Sequence, residues 1–191
     1  MLKKRLIIGI SGADGVCIGK RLLETLKEMA QVETHLVVSR AAERNFQLEC
    51  GIDAEAVRAL ADYAYEPEDL AAKISSGSFV TDGMIVAPCS MKTLSAIVHG
   101  YADNLLTRAA DVCLKENRRV VLMPRETPLG LVHLRNLLSA AEMGCAVVPP
   151  MMTFYNKPKS IEDQIDHVIG KAVMQFDLES ARFRPWEEVP P

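Results

Sequence analysis

The sequence predicts a three-layer α/β fold, a flavodoxin- or Rossmann-like parallel sheet with helices on both faces. Short apolar runs recur along the 191 residues, each closed by Gly, Ser or Pro, as buried parallel strands should be. Between them lie longer stretches whose apolar residues share one helical face. Alternation of this kind covers a parallel sheet on both sides. Polar, small and charged residues also collect just after the runs, where an open parallel sheet binds its ligands.

Taken in order, residues 6–10 form the first strand and meet a glycine turn. A helix follows, with Leu22, Leu23, Leu26 and Met29 on one face. Residues 35–38 are the second strand, ending at Ser39, and 41–49 are helical. Residues 84–87, 120–123 and 146–148 are the third, fourth and fifth strands, each running into proline. Residues 105–116 and 131–143 are helices. A last helix begins at Ser160, where Ser160-Ile161-Glu162-Asp163 has the form of a capping box. Ser75-Ser76-Gly77-Ser78 reads as the most flexible loop. Residues 1–176 make one domain, and the charged, Pro-rich 177–191 make a tail or an arm.

Composition narrows the function. Hydrophobic residues make up 49% of the chain, enough for one sizeable core. The net charge is -3 with the cations dispersed, which speaks against nucleic acid or anionic membrane as partners. Lys115, Arg118 and Arg119 form the densest basic stretch and read as a solvated helix end. The five cysteines match no zinc spacing and fit reduced thiols in the cytoplasm. The apolar run after the basic start is too short for a signal peptide, and no run approaches the roughly 20 residues of a spanning helix. The four histidines are scattered and show no metal-ligand spacing.

Three strand-end loops carry the chemistry. The loop from Gly9 to Gly15 leads a strand into a helix, where backbone N–H groups favour an anion. It reads either as a phosphate cradle or as a plain tight turn. Its spacing is not that of the dinucleotide fingerprint, and Ser39 replaces the acid that would hold a ribose diol, so NAD is disfavoured. Asp14 reads as a helix cap facing away or as a group in the site. Pro88-Cys89-Ser90-Met91-Lys92-Thr93 places hydroxyls and a cation at a helix start, with Cys89 as packing rather than nucleophile. Arg125 and Glu126 pair a phosphate-binding cation with a proton-transfer carboxylate, or form a surface ion pair.

Gly9 to Ala13, Pro88 to Leu94, Gly100 to Leu105, Arg108 to Val112, Pro124 to Leu129, and Pro149-Pro150 through Phe154-Tyr155 together resemble the UbiX-type flavin prenyltransferases, in order from about residue 5 to 186. The segments 74–79 and 81–85 look like the branch associated with phenolic and hydroxyaryl acid decarboxylases. The resemblance implies a metal-independent transfer of a dimethylallyl group from dimethylallyl phosphate to N5 and C6 of reduced FMN. The product, prenylated FMN, would serve a partner decarboxylase. It also implies an assembly of many copies, typically a dodecamer, with sites at subunit contacts. By position, Gly12, Ala13, Asp14, Ser39, Ser90, Met91, Lys92, Thr93 and Arg125 would contact FMN. Tyr155 and Lys171 would hold the dimethylallyl phosphate, with Trp186 packing over it. Glu126 would act as base, with Lys115, Glu49 and Asp14 also in the catalytic set.

The family usually carries Ser or Thr where this chain has Asp14. An ionised Asp cannot donate a proton to the leaving phosphate. The substitution therefore leaves open a non-catalytic FMN-binding module or flavin chaperone. A flavin-dependent cysteine decarboxylase of the same fold would need an early catalytic His and an Asn-rich loop, and neither stands at a matching place.

Overall fold

A computed structural model describes residues 3–186. Six parallel strands form one sheet in the order β3-β2-β1-β4-β5-β6. They are β1 (Lys4–Ile10), β2 (Val32–Val38), β3 (Tyr63–Tyr65), β4 (Gly83–Cys89), β5 (Arg119–Pro124) and β6 (Ala146–Val147). The five expected strands are present, and β3 is an additional short edge strand. Without β3 the order is the flavodoxin one, 2-1-3-4-5; with it the order is that of the Rossmann sheet. Strand order reverses between β1 and β4, which makes their carboxyl ends the topological switch point.

The period of two along β1 divides the core. Leu6, Ile8 and Ile10 face α1 (Val16–Lys27) and α7 (Ile161–Val173), packing with Leu22, Leu26, Val168 and Ile169. Ile7 faces the opposite layer of α4 (Met91–Val98) and α5 (Leu105–Lys115), with Leu94, Leu106, Ala109 and Cys113. The first core continues past residue 176 to Leu178. The helix α6 (Leu131–Glu142) forms as expected, but Leu131, Val132, Leu134 and Leu138 lie exposed on it.

Between β2 and β3 the chain forms α2 (Arg40–Asn45), a π-helical turn (Phe46–Cys50) and α3 (Ala54–Arg58). The single helix expected over 41–49 is thus an α-helix that widens into a π turn. Ser160 caps α7 by accepting from Asp163 N at 3.2 Å, while the Asp163 carboxylate takes Lys159 N at 2.7 Å. The return bond of the expected capping box therefore falls one residue early. The loop 75–78 is pinned rather than loose: Arg118 donates to Gly77 O at 2.5 Å and Phe79 O at 2.9 Å, and Arg108 to Ser75 O at 3.2 Å. Among the described residues no helix is long and apolar enough to cross a membrane.

Candidate functional site

Ser11 fastens the switch point. Its hydroxyl donates to Pro88 O at 2.9 Å and accepts from Ser90 N at 2.8 Å, so the ends of β1 and β4 are held together. Helices begin beside it with hydroxyl caps. Ser39 accepts from Ala42 N at 3.2 Å, and Ser90 accepts from Thr93 N at 3.2 Å. Gly12 serves the packing of these parts: a Cβ there would lie 2.3 Å from Ala41 Cβ. The glycine lets α2 close on the β1–α1 loop, rather than only letting a ligand approach as the sequence suggested.

Two cavities open at this edge. The larger, about 760 Å³, is lined by Gly12, Ser39, Ser90, Lys92 and Thr93, with Asn104 and Tyr101 from the segment before α5. The smaller, about 560 Å³, lies on the α1/α7 side and is lined by Asp14, Cys17, Glu49, Arg125, Met151 and Gln164. Both volumes suit small-molecule ligands. The expected FMN contacts thus divide, five in the larger cavity and two, Asp14 and Arg125, in the smaller. Ala13 is buried and Met91 packs toward the α4/α5 core, and neither lines a cavity.

The helix start of α1 already holds an anion from within the chain. Glu49 Oε2 accepts from Gly15 N at 2.9 Å and Val16 N at 3.0 Å. The π turn presents this carboxylate, as such turns often do at functional sites. Asp14 is therefore not the cap of α1. Its carboxylate pairs with Arg125, whose Nε also donates to Asp14 O at 3.2 Å. Cys17 beside them has its thiol pushed up by burial and by its neighbours Cys50, Glu49 and Asp14, so it stays protonated. Burial likewise pushes the Cys89 thiol up to about 12, which fits a packing role.

The remaining expected site residues fall elsewhere. Glu126 is exposed, accepts from Thr127 N at 3.0 Å and lines neither cavity. Tyr155 and Phe183 pack against His167 of α7, and Trp186 lies edge-on to Tyr155 at 4.9 Å. Lys171 Nζ lies 5.2 Å from the Phe183 ring centre. The tail thus covers Tyr155 up to Trp186; its remainder, 187–191, lies outside the described residues.

Lys115 sits at the far edge of the sheet. It ends α5 before β5 begins and pairs with Glu116 at 2.7 Å, whereas Arg125 follows the other end of β5. Six strand residues put these two places roughly 20 Å apart. Within one chain Lys115 does not join the other site residues. Ser11, which fastens the two strand ends, and Asn104 and Tyr101, which line the larger cavity, are not among the expected site residues, although each stands in one of the motifs above. Among the described residues no group of three His, Cys, Asp or Glu side chains is placed to hold a metal ion.

A model of the flavoprotein family matches residues 1–188. The chain is similar to a UbiX-like flavin prenyltransferase of Sedimentibacter hydroxybenzoicus, at 58% identity over 96% of this chain and 97% of that protein. It is also similar to the solved dodecameric FMN-dependent UbiX-like decarboxylase of Escherichia coli O157:H7. There the identity is 53% and the TM-score 0.93, over 95% of this chain and 98% of that one. A UbiX protein solved with FMN and dimethylallyl pyrophosphate is 48% identical, with a TM-score of 0.94 over 96% of this chain and 97% of that one.

Proposed function

We propose, from the premise that this chain belongs to the flavoprotein family and within it to the UbiX-like flavin prenyltransferases, that it joins a dimethylallyl group to reduced FMN. The carbon–oxygen bond to phosphate breaks as the allylic carbon replaces the proton on N5; the allylic double bond then takes up a proton while its far carbon bonds to C6, which loses its own proton, and inorganic phosphate leaves. Prenylated FMN is the product, taken up by a partner decarboxylase. When bound, reduced FMN supplies the nucleophilic ring atoms.

The observation that carries this reading is the convergence of Gly12, Ser39, Ser90, Lys92 and Thr93 on one cavity of about 760 Å³ at the β1/β4 switch point. Its hydroxyls, backbone N–H groups and one ammonium fit a phosphate-bearing flavin. The smaller cavity adjoins the other side of the β1–α1 loop and brings Arg125 and Glu49 to the reacting end. Tyr155 and Lys171 hold the donor's phosphate, and their charge and hydrogen bonds favour its departure. Trp186 and Tyr155 offer π-faces to an allylic group carrying positive charge. Glu126, next to Arg125 on the loop after β5, is the base for the ring proton.

Lys115 enters such a site only from a neighbouring copy. Assembly into a dodecamer, the state of the Escherichia coli relative, supplies one, and the exposed leucines of α6 supply apolar surface for it. A cytoplasmic location is part of the proposal and is supported by five free cysteines.

The test is transfer of the product. Flavin from an anaerobic incubation of the protein with reduced FMN and dimethylallyl phosphate should activate an apo-decarboxylase that depends on prenylated FMN. An apo-decarboxylase that stays inactive with this flavin, yet responds to authentic prenylated FMN, contradicts the proposal.

A further inference from the structure

We propose that His167 is a positioning residue that turns the Tyr155 hydroxyl into a hydrogen-bond donor, so that Tyr155 and Lys171 select an anionic oxygen acceptor such as phosphate. This rests on the reading of Tyr155 and Lys171 as the donor-phosphate pair.

His167 is 3% exposed on the inner face of α7. Its Nε2 lies 3.3 Å from the Tyr155 hydroxyl, and its Nδ1 is buried with no hydrogen-bond partner among the described residues. The ring is fixed on two sides, by Tyr155 edge-on at 5.4 Å and by Phe183 at 5.0 Å. Phe183 reaches this place because residue 170 is glycine: a Cβ there would lie 2.3 Å from its ring. Burial, then the nearby charge of Lys171, holds the imidazole below its ordinary range, so it is neutral near pH 7.

A neutral imidazole carries one N–H. On Nδ1 that proton would be a buried donor with nothing to meet. On Nε2 it meets the Tyr155 oxygen and leaves only an unpaired acceptor at Nδ1. Orphaned buried N–H groups are the rarer of the two, so the proton sits on Nε2. The Tyr155 oxygen then accepts from His167, and its own proton points elsewhere. Lys171, one helical turn on from His167, adds a cation on the same side of α7. A hydroxyl donor with an ammonium suits phosphate oxygens and rejects a donor or cation.

The experiment uses the protein loaded with reduced FMN under anaerobic conditions, with dimethylallyl phosphate varied, in wild type, Tyr155→Phe, His167→Gln and two apolar replacements, His167→Met and His167→Leu. The two apolar variants guard against one failing to fold. Each should raise the KM for the donor and the inhibition constant of inorganic phosphate about 3- to 10-fold, the loss of one oriented hydrogen bond, and should lower kcat as the departing phosphate loses that bond, with FMN affinity little changed. His167→Gln, which keeps a donor near Nε2, should recover most of this. If Tyr155→Phe weakens donor and phosphate while the apolar variants do not, or if His167→Gln is as impaired as they are, the inference is overturned. If Tyr155→Phe changes neither constant, the reading of Tyr155 itself falls and takes the inference with it.

Discussion

Glu49 is the residue whose replacement says most about how the site is built. Its carboxylate takes two backbone N–H groups of the first turn of α1, at 2.9 and 3.0 Å, in the place a side-chain cap would fill. Glu49→Ala leaves both donors to water. Loss of a helix cap costs about 1 kcal/mol, at most about 2, and the exposed position of Glu49 favours the lower figure. For a chain of this size that lowers Tm by about 2–4 °C. Glu49→Gln keeps an acceptor oxygen and loses only the charge, which interacts with the helix end by about 0.3–1 kcal/mol, so its Tm should fall about half as far. Thermal melting of the two variants beside wild type, without added flavin, reads both values. The reasoning fails if Glu49→Ala melts with wild type, or if Glu49→Gln melts below Glu49→Ala.

Other perturbations have equally definite outcomes. Asp14→Ser breaks a largely exposed pair, worth about 0–1 kcal/mol, so Tm should hardly move, while freed Arg125 should lower the donor KM several-fold; an unchanged KM would show that Arg125 does not meet the phosphate. Arg21→Met strips Asp166, 7% exposed, of a two-pronged partner at 2.7 Å on each prong, and should cost about 2–3 kcal/mol, seen as a Tm lower by roughly 5–10 °C. Burial, with Lys73 adding to it, holds His35 below its ordinary range; its folded value lies under its unfolded one, so its share of stability is whole above about pH 6.5 and is lost as pH falls through the folded value. Denaturant midpoints across that window should fall less steeply for His35→Gln than for wild type, and equal slopes would contradict the assignment.

Much of the sheet was legible because five of its strands hold a short apolar run closed by Gly, Ser or Pro. The edge strand β3 was not, since Tyr63, Ala64 and Tyr65 form neither an apolar run nor a long alternation, and tertiary pairing with β2 decides them. The strand-end loops were visible as sites because the rule for parallel sheets needs only strand ends. What the sequence could not show were partners far apart along the chain. Glu49 reaches Gly15, Arg125 reaches Asp14 and Arg118 reaches Gly77 only after the sheet has formed. Asp14 was thus read as a possible cap and Arg118 as a solvated cation, although each has a specific partner. Lys115 was placed by motif alone, and a motif does not say which copy of a chain its residue serves.

The central claim is that this chain adds a prenyl unit to FMN. A mass spectrum of the flavin recovered after anaerobic incubation with reduced FMN and dimethylallyl phosphate tests it most directly. The account predicts a flavin heavier by one prenyl unit, formed in proportion to phosphate released. Flavin bound and recovered at unchanged mass, with the donor intact, would contradict it.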